Sequence, residues 1–406
     1  MRFCMVTTFY PPYHYGGDAT YVRALSRALV ARGHEVEVVH CEDAFRMGSS
    51  GEPVPESVPE EGITVHRLKS RFGFLSALIT QQTGRPGLKS GSLRKILDRG
   101  FDIVNFHNVS LVGGPAVLTL SKAPVTLYTL HEHWLLCPTH IFWKNRSYAC
   151  DRPECFSCSL RSGIPPQLWR YTGLVKRVAA CVDAFISPSE YTARKHQAAG
   201  LGRPIHVVPL FSVLDPGTGP EYTPPQRPRF LFVGRVTASK GIVPLLEYFA
   251  RSPDFDLWVI GDGDLREQLL AQYGASRNIR FIGKVQQSEL AELYRVASAL
   301  IFSSLAPETF GLSVVEAFAC GTPAIVRKGS GGSRELIEST GAGFIYRNEE
   351  ELDKAVRQLA ENMPLRIELG NKARAAYEQN YTPARHVDTY LEHIACIQKC
   401  KGITVH

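Results

Sequence analysis

The segment whose residues are best suited to binding or catalysis is SSLAPETFGLSVVEAFACG at 303–321, which contains two glutamates eight positions apart. An apolar run at 299–303 predicts a strand that leads to Glu308 in a loop, and Gly311 stands where a helix begins. Glu308 and the first free backbone N–H groups of that helix would then converge above the end of the strand. These N–H groups belong to Phe310, Gly311 and Leu312. Such a point can bind sugar hydroxyls and a phosphate together.

Both glutamates also have ordinary structural interpretations. Glu308 could be a first-turn charge that complements the helix dipole, and Glu316 could lie on a solvated helix face. The second alternative is weak, because Glu316 is surrounded by apolar neighbours at 314, 315, 317 and 318. The segment therefore favours a binding site over a solvated helix.

A second candidate begins where the apolar run 229–233 ends in Gly234-Arg235, with Lys240 five residues further on. Two fixed cations at one strand end suit a diphosphate, because they can neutralise a leaving group without a metal. A surface Arg and Lys on an ordinary loop is the alternative. Gly16 and Gly17, between a predicted strand and a predicted helix, could form another anion site, and a plain turn would explain them equally well.

Four cysteines form a separate constellation in a segment rich in Pro, Arg and aromatic residues at 136–160. They are Cys137, Cys150, Cys155 and Cys158, separated by 12, 4 and 2 residues. Four thiolates at such spacing can make a closed structural zinc site, and the last pair is a C-x-x-C motif. A disulfide or redox pair and unliganded thiols remain the alternatives.

Strands and helices must position these residues, and their pattern is that of alternating α/β structure. At about one domain per 150 residues, the 406-residue chain should form two or three domains. A βαβ unit is predicted from 2 to 40, with Asp18 as helix cap and Gly33 as helix stop. Further strands at 101–106, 124–130 and 183–187 extend it to a doubly wound parallel sheet.

A stretch with five prolines and two glycines at 211–228 predicts a linker between domains. After it the α/β pattern restarts, with strands predicted at 229–233, 256–260, 279–282, 299–303 and 323–326. We therefore expect two Rossmann-like domains that face each other across a cleft. The first comprises 1–210 plus a returning C-terminal helix within 383–406, and the second comprises 229–382.

Composition and charge narrow the class of protein. The chain is 44% hydrophobic and 21% charged, which excludes disorder as the main state. The net charge of +7 is uneven, with 24 Lys and Arg against 16 Asp and Glu in residues 1–214 and 22 against 23 afterwards. An evenly charged nucleic-acid binder is not expected. A basic face toward an anionic acceptor or membrane is one interpretation, and an ordinary solvated surface is the other.

The chain contains no run of about 18 apolar residues, the length that a membrane span requires. Pro11 and Pro12 interrupt the start of the chain before a signal peptide could form. We expect a cytoplasmic protein, for which association with the inner face of the membrane is an open alternative.

Taken together, these segments resemble the family-four retaining glycosyltransferases of the GT-B fold, in the family's order along almost the whole chain. The resemblance rests on Glu308 and Glu316, on Gly234-Arg235 with Lys240, on the Gly16-Gly17 loop, and on Asp102-Ile-Val-Asn-Phe-His107-Asn108 and Thr129-Leu-His131. It departs at Glu132, where the family often has Asp, and at Leu210-Phe211, where it usually has Asn-Gly.

The resemblance implies a hexosyltransferase that moves a sugar from a nucleotide-diphosphate donor to a glycan or lipid-linked acceptor, as in polysaccharide biosynthesis. It implies a metal-independent reaction, with structural zinc as the only metal under consideration. Arg235 and Lys240 would hold the diphosphate, Glu316 the ribose, and Glu308 with the backbone at 310–312 the sugar. The Gly16-Gly17 loop would reach the phosphates, and His131 would lie beside the donor sugar. The competing hypotheses are a nucleotide-sugar epimerase and a non-catalytic binding protein with the same fold.

Overall fold

A computed structural model of the chain describes residues 1–48, 59–216 and 227–403. These residues form two compact units. The first unit comprises Met1–His140, Glu154–Val208 and His386–His406, and the second comprises Ile141–Pro153 and Pro209–Arg385. The middle of the predicted linker, 217–226, lies outside the described residues. Each unit is an α/β structure built on one parallel sheet.

The first unit contains seven parallel strands in the order β3-β2-β1-β4-β5-β8-β9. Its strands are β1 (Arg2–Val6), β2 (Glu35–Cys41), β3 (Ile63–Leu68), β4 (Ile103–Phe106), β5 (Val125–Thr129), β8 (Ala184–Ser187) and β9 (Ile205–Val207). The central strands are buried on both faces, as expected for a parallel sheet, which explains their continuous apolar sequences. The sequence prediction missed β3 and β9, because β3 is half polar and β9 has three residues.

Helices surround this sheet and connect its strands. They are α1 (Gly17–Ala31), α2 (Glu42–Gly48), α3 (Phe74–Thr83), α4 (Ser90–Leu97), α5 (Cys155–Arg161), α6 (Leu174–Ala179), α7 (Glu190–Ala198) and the C-terminal α15 (Pro383–Cys400), with 3₁₀ turns at Gly87–Lys89, Pro115–Leu120 and Leu168–Tyr171. The prediction that Asp18 caps α1 is wrong. Gly16 is the N-cap, and Asp18 lies in the first helical turn, where its charge still complements the helix dipole.

The second unit contains six parallel strands in the order β12-β11-β10-β13-β14-β15. They are β10 (Arg229–Val233), β11 (Asp256–Ile260), β12 (Ile279–Gly283), β13 (Ala299–Phe302), β14 (Ala324–Arg327) and β15 (Gly343–Tyr346). The helices are α8 (Ile242–Ala250), α9 (Arg266–Tyr273), α10 (Gln287–Arg295), α11 (Leu312–Ala319), α12 (Gly332–Thr340), α13 (Glu349–Glu361) and α14 (Met363–Asn380), with a 3₁₀ turn at Ala238–Lys240. A two-strand hairpin, β6 (Trp143–Lys144) and β7 (Tyr148–Ala149), also belongs to this unit.

The two strand orders share one topological feature. In each sheet the first strand of the unit pairs with the fourth, so that connections run outward in both directions from that pair. Open α/β sheets bind ligands at the carboxyl ends of the strands where this reversal occurs. The reversal lies between β1 and β4 in the first unit and between β10 and β13 in the second. These two edges are therefore the places to look for functional residues.

Within the part of the chain that the structure describes, no helix is both long and apolar enough to span a bilayer.

Candidate functional site

We call the place where the strand order of the second unit reverses, at the carboxyl ends of β10 and β13, its switch point. It brings together two of the predicted residues that are far apart in sequence. Lys240 follows β10 and Glu308 follows β13, and Lys240 Nζ donates to Glu308 Oε1 over 2.7 Å. Both side chains keep partial contact with solvent, at 26% and 22% exposure. An exposed ion pair of this kind contributes little to stability, so its position at the strand ends points to a binding role.

Backbone hydrogen bonds on both sides hold Glu308 in place. Its N–H donates to Ser330 O over 2.9 Å, and its carbonyl accepts from Gly332 N–H over 2.8 Å. The hydroxyl of Ser304 donates to Glu308 Oε1 over 2.7 Å, so that one carboxylate oxygen accepts from both Lys240 and Ser304. The carboxylate is therefore oriented before any ligand binds.

Two glycines allow the chain to pack closely around this pair. Gly241 adopts a left-handed conformation with φ of 69°, and a side chain there would collide with the carbonyl of Ser303. Gly311 has a φ of 151°, and a Cβ there would lie 2.7 Å from Cβ of Ser333. Both positions thus require glycine, which explains the glycine that follows Lys240 and the glycine that precedes α11.

Helix α11 begins directly after Gly311, as the sequence predicted. The carbonyl of Gly311 accepts from Val314 and Val315, so the first intrahelical bonds engage the third and fourth helical residues. The N–H groups of Phe310, Gly311 and Leu312 form none of the backbone hydrogen bonds found outside regular elements among the described residues. The start of α11 therefore presents free donors next to the loop of Glu308.

Arg235 lies on the same strand-end loop as Lys240 and is exposed. Across the described residues its guanidinium forms no ion pair or side-chain hydrogen bond. Gly234, which precedes it, hydrogen-bonds through its N–H to Ile260 O on the neighbouring strand β11, over 3.0 Å. The loop thus presents an unpaired cation at the carboxyl end of β10.

Glu316 lies on α11, and Tyr294 of α10 donates a hydrogen bond to its Oε2 over 3.2 Å. Burial raises the pKa of Glu316 from 4.5 to about 7, and the hydrogen bond from Tyr294 opposes this rise. The carbonyl of Ser313 lies 3.1 Å from the same hydroxyl and shares its single proton, which fixes the hydroxyl against the start of α11. Glu316 is thus a carboxylate whose ionisation falls in the neutral pH range.

The first unit holds His131 in a different environment. His131 follows β5 and is buried against His107, which follows β4, with His107 Nδ1 and His131 Nε2 2.8 Å apart and the rings stacked. Tyr21 of α1 packs edge-on against His131, with ring centroids 4.8 Å apart. Burial lowers the pKa of both histidines, so the pair is neutral at physiological pH.

Hydrogen bonds to the C-terminal helix support this histidine pair. The hydroxyl of Tyr21 lies 2.7 Å from His386 Nε2. Asn105, two residues before His107, donates to Tyr390 OH over 2.8 Å and to Thr129 Oγ1 over 3.0 Å. The residues of α15 thus belong to the polar network beneath His131, which explains why the chain from His386 onward groups with the first unit.

Gly16 and Gly17 form the exposed start of α1. A Cβ on Gly16 would lie 3.2 Å from Asp18 Oδ1, and Asp18 Oδ2 accepts a hydrogen bond from Asn108 over 3.1 Å. The helix N-terminus thus already has a carboxylate of the chain beside it. The predicted contact of this loop with phosphates stays a prediction.

The four predicted metal-binding cysteines carry free thiols. Cys137 and Cys158 are buried, whereas Cys150 and Cys155 are partly exposed. Within residues 1–48, 59–216 and 227–403, no three His, Cys, Asp or Glu side chains are grouped so that they could hold a metal ion. The zinc site stays a prediction, and metal analysis of the purified protein tests it.

Sequence reasoning missed the residues that orient the predicted ones. Ser304 was inside the chosen segment and directly follows β13, and polar residues at strand ends are a usable signal. Tyr294 and Ser330 had no such signal, because their roles depend on contacts made across 22 residues or more of sequence.

The chain forms two parallel sheets whose strand order reverses in the same way, and the second sheet carries a pair of a cation and a carboxylate at that reversal. These features define a two-domain α/β protein of the GT-B class. Comparison with solved structures agrees on the fold. Sucrose-phosphate synthase from Thermosynechococcus elongatus aligns with a TM-score of 0.70 at 18% identity, over 97% of this chain and 99% of that one. The HepE protein of Anabaena, solved in complex with UDP, aligns with a TM-score of 0.66 at 17% identity, over 98% and 100%.

Sequence comparisons identify the family. Residues 15–211 match Glycosyltransferase Family 4, and residues 220–376 match Glycosyl transferases group 1. D-inositol 3-phosphate glycosyltransferase from Xylanimonas cellulosilytica is 30% identical over 79% of this chain and 77% of its own length. Glycogen synthase from Mycobacterium tuberculosis is 27% identical over 89% of this chain and 86% of its own. The chain belongs to the group 1 glycosyltransferases, with the first unit of the family-four type.

Proposed function

We propose that this glycosyltransferase uses a nucleotide-diphosphate sugar as donor, transfers the sugar with retention of anomeric configuration, and needs no metal for the chemical step. The observation that carries the proposal is the 2.7 Å contact between Lys240 and Glu308 at the switch point, beside the unpaired Arg235. A cation pair and a carboxylate at one strand edge match the two halves of such a donor, the diphosphate and the sugar hydroxyls.

In the proposed donor complex, Arg235 and Lys240 bind the diphosphate. Glu308 and the free N–H groups at 310–312 bind the sugar, and Glu316 accepts hydrogen bonds from the ribose. The HepE protein of Anabaena, which shares the fold, was solved with UDP, and this supports a nucleoside diphosphate as the ligand class. Lys240 would exchange part of its contact with Glu308 for the phosphate, which leaves that carboxylate free to accept from the sugar.

The proposed reaction breaks the bond between the anomeric carbon and the diphosphate oxygen and forms a bond between that carbon and the acceptor oxygen. The proton of the acceptor hydroxyl passes to the departing phosphate oxygen on the same face of the sugar. Arg235 and Lys240 stabilise the negative charge that develops on the leaving group. His131 contributes as a neutral imidazole, because its burial opposes protonation. The acceptor is proposed to be a glycan or lipid-linked glycan.

The test is a thermal-shift panel of nucleotide-diphosphate sugars, followed by analysis of the products. A donor at 100 times its dissociation constant should stabilise the protein by about 2.7 kcal/mol. The same donor should stabilise Lys240→Ala much less. A new glycoside with retained configuration supports the proposal. An epimerised donor would favour an epimerase, and the absence of any shift across the panel would contradict a nucleotide-sugar donor. Activity that is lost in chelator and restored by manganese would contradict the metal-free step.

A further inference from the structure

Helix α3 of the first unit has its polar side inward and its apolar side outward. Its buried side chains include Ser76, Thr80 and Gln81. Its exposed side chains include Phe74, Leu75 and Ile79, at 55%, 45% and 36% exposure. A surface helix of a water-soluble domain normally buries its apolar face, so this arrangement calls for a physical reason.

Hydrogen bonds within the unit fix this orientation. The buried ammonium of Lys89 donates to Ser76 O over 3.1 Å and to Thr80 Oγ1 over 2.8 Å. Gln81 donates to Pro165 O over 2.9 Å, and its own carbonyl accepts from the indole of Trp169 over 2.9 Å. Rotating α3 to bury its apolar face would leave Lys89 buried without partners, which is costly. The outward apolar face is therefore a specified feature of the fold.

The apolar surface continues beyond α3 onto the two 3₁₀ turns that pack against it, Gly87–Lys89 and Leu168–Tyr171. Leu88, Leu168 and Tyr171 are 50%, 62% and 61% exposed, and Phe72, just before the helix, is 47% exposed. Clusters of exposed apolar side chains on one surface mark interaction sites, whereas single ones do not.

The two sequence segments that contribute these side chains are basic, whereas Glu42 and Asp43 of the neighbouring helix α2 are buried, with Glu42 beside Lys69 and Asp43 accepting from Ser70 N–H. Residues 62–97 contain seven Lys and Arg and no Asp or Glu, and residues 155–182 contain four Lys and Arg and no Asp or Glu. The guanidinium of Arg71 lies over the ring of Phe72, 4.9 Å from its centroid. Arg85 is exposed, and its side chain has no ion pair among the described residues. Arg71 and Arg85 therefore stand beside the apolar cluster as exposed cations.

We infer that this apolar-basic face, formed by the exposed side chains of Phe72, Phe74, Leu75, Ile79, Leu88, Leu168 and Tyr171 with Arg71 and Arg85, binds the surface of an anionic lipid bilayer. Apolar side chains enter the boundary between headgroups and acyl chains, and arginines contact lipid phosphates. A second copy of the chain fits less well, because a symmetric interface would place two sets of unpaired arginines against each other.

The experiment is vesicle flotation of the full chain, without donor or acceptor, so its outcome is separate from that of the proposed reaction. Wild type should float with vesicles of phosphatidylcholine mixed with phosphatidylglycerol and much less with phosphatidylcholine alone. Leu75→Ser with Ile79→Ser should weaken the partition by about tenfold or more. Arg71→Gln with Arg85→Gln should weaken it by about tenfold on the anionic vesicles, and added salt should reduce this difference.

A matched control exists on α14 of the second unit, where Met363 and Ile367 are 40% and 47% exposed. Met363→Ser with Ile367→Ser should float as wild type does. Thermal unfolding and circular dichroism show whether the α3 variant is folded, and if it is not, the arginine variant decides. The inference fails if wild type does not bind anionic vesicles at low ionic strength, or if the folded variants bind as wild type does. Light scattering that shows a dimer dissociated by the α3 variant would also overturn it.

Discussion

The sheets of the two units share the same strand order over six strands but hold their functional candidates in opposite electrostatic states. In the second unit, Lys240, Glu308 and Arg235 are charged and keep contact with solvent at the switch point. In the first unit, His107 follows β4, the counterpart of β13, and His131 follows the next strand, β5. These two histidines are stacked, buried and neutral. The carboxyl-end edge of a parallel sheet can therefore carry charged side chains, which suit a diphosphate, or a buried neutral imidazole, which suits a sugar.

The largest effect is expected from Lys240→Ala, which removes one cation and frees the Glu308 carboxylate from its partner. We expect kcat/KM for the donor to fall by about 100-fold or more, because a preorganised charge on the leaving group is lost. Nucleoside diphosphate release measures this. Glu308→Ala should have an effect of the same order with an unchanged fold. Turnover at the wild-type rate in either variant would remove the pair from the reaction.

Arg235→Ala should reduce donor affinity and kcat/KM by about 10- to 100-fold. Its guanidinium has no partner among the described residues, so we expect the melting temperature to stay the same. Arg277→Ala is the matched control, since Arg277 is also exposed in the second unit and also lacks an ion pair across the described ranges. Equal effects of the two variants on calorimetric UDP binding would show that general charge, and not position, is what matters.

His131→Ala should separate the two units functionally. We expect kcat to fall by about tenfold or more while UDP binding stays within error of wild type, because the proposed diphosphate contacts, Arg235 and Lys240, belong to the second unit. His206, whose ring packs against that of His393 in the same unit with centroids 4.5 Å apart, provides the control. His206→Ala should leave kcat unchanged, and a loss of UDP binding in His131→Ala would contradict the separation.

The smallest effect concerns the pH dependence of Glu316. Because its pKa is about 7 in the folded chain against 4.5 ordinarily, the folded state binds the extra proton between these values. Its contribution to stability is thus largest at low pH and is lost as pH rises toward 7. Donor affinity should change in the opposite direction and rise from pH 6 to pH 8, since in the proposed donor complex the ionised carboxylate would accept from the ribose.

Glu316→Gln should flatten both pH profiles, as measured by thermal unfolding and by donor titration at each pH. The variant keeps the volume of the side chain and an acceptor for Tyr294. A wild-type affinity that does not vary with pH, or one that varies equally in the variant, would place the titration on another group.

Much of the fold could be read from local pattern. The strands β1, β4, β5, β10 and β13 are short apolar runs followed by polar or glycine residues, and each was predicted within a few residues of its bounds. Such runs are typical of parallel strands buried on both faces. The edge strands β3 and β9 lack that pattern, because β3 is half polar and β9 has three residues. The edge strand β15 is an apolar run that the prediction missed.

The candidate donor residues were also visible in sequence, because strand-to-helix loops must place them at one edge of a parallel sheet. What they contact was not visible. Lys240 and Glu308 are 68 residues apart, and only the pairing of β10 with β13 brings them together.

The amino-acid sequence by itself determined the α/β class, the two-part organisation and the family, because apolar period, turn residues and motif order are local properties. The tertiary structure alone decided which charges are paired, which histidines are neutral and which face of α3 meets solvent. These depend on burial and on contacts between distant segments. Helix α3 is the clearest case. Its sequence has an apolar side, and only the hydrogen bonds of its polar side with Lys89, Pro165 and Trp169 determine that the apolar side faces outward.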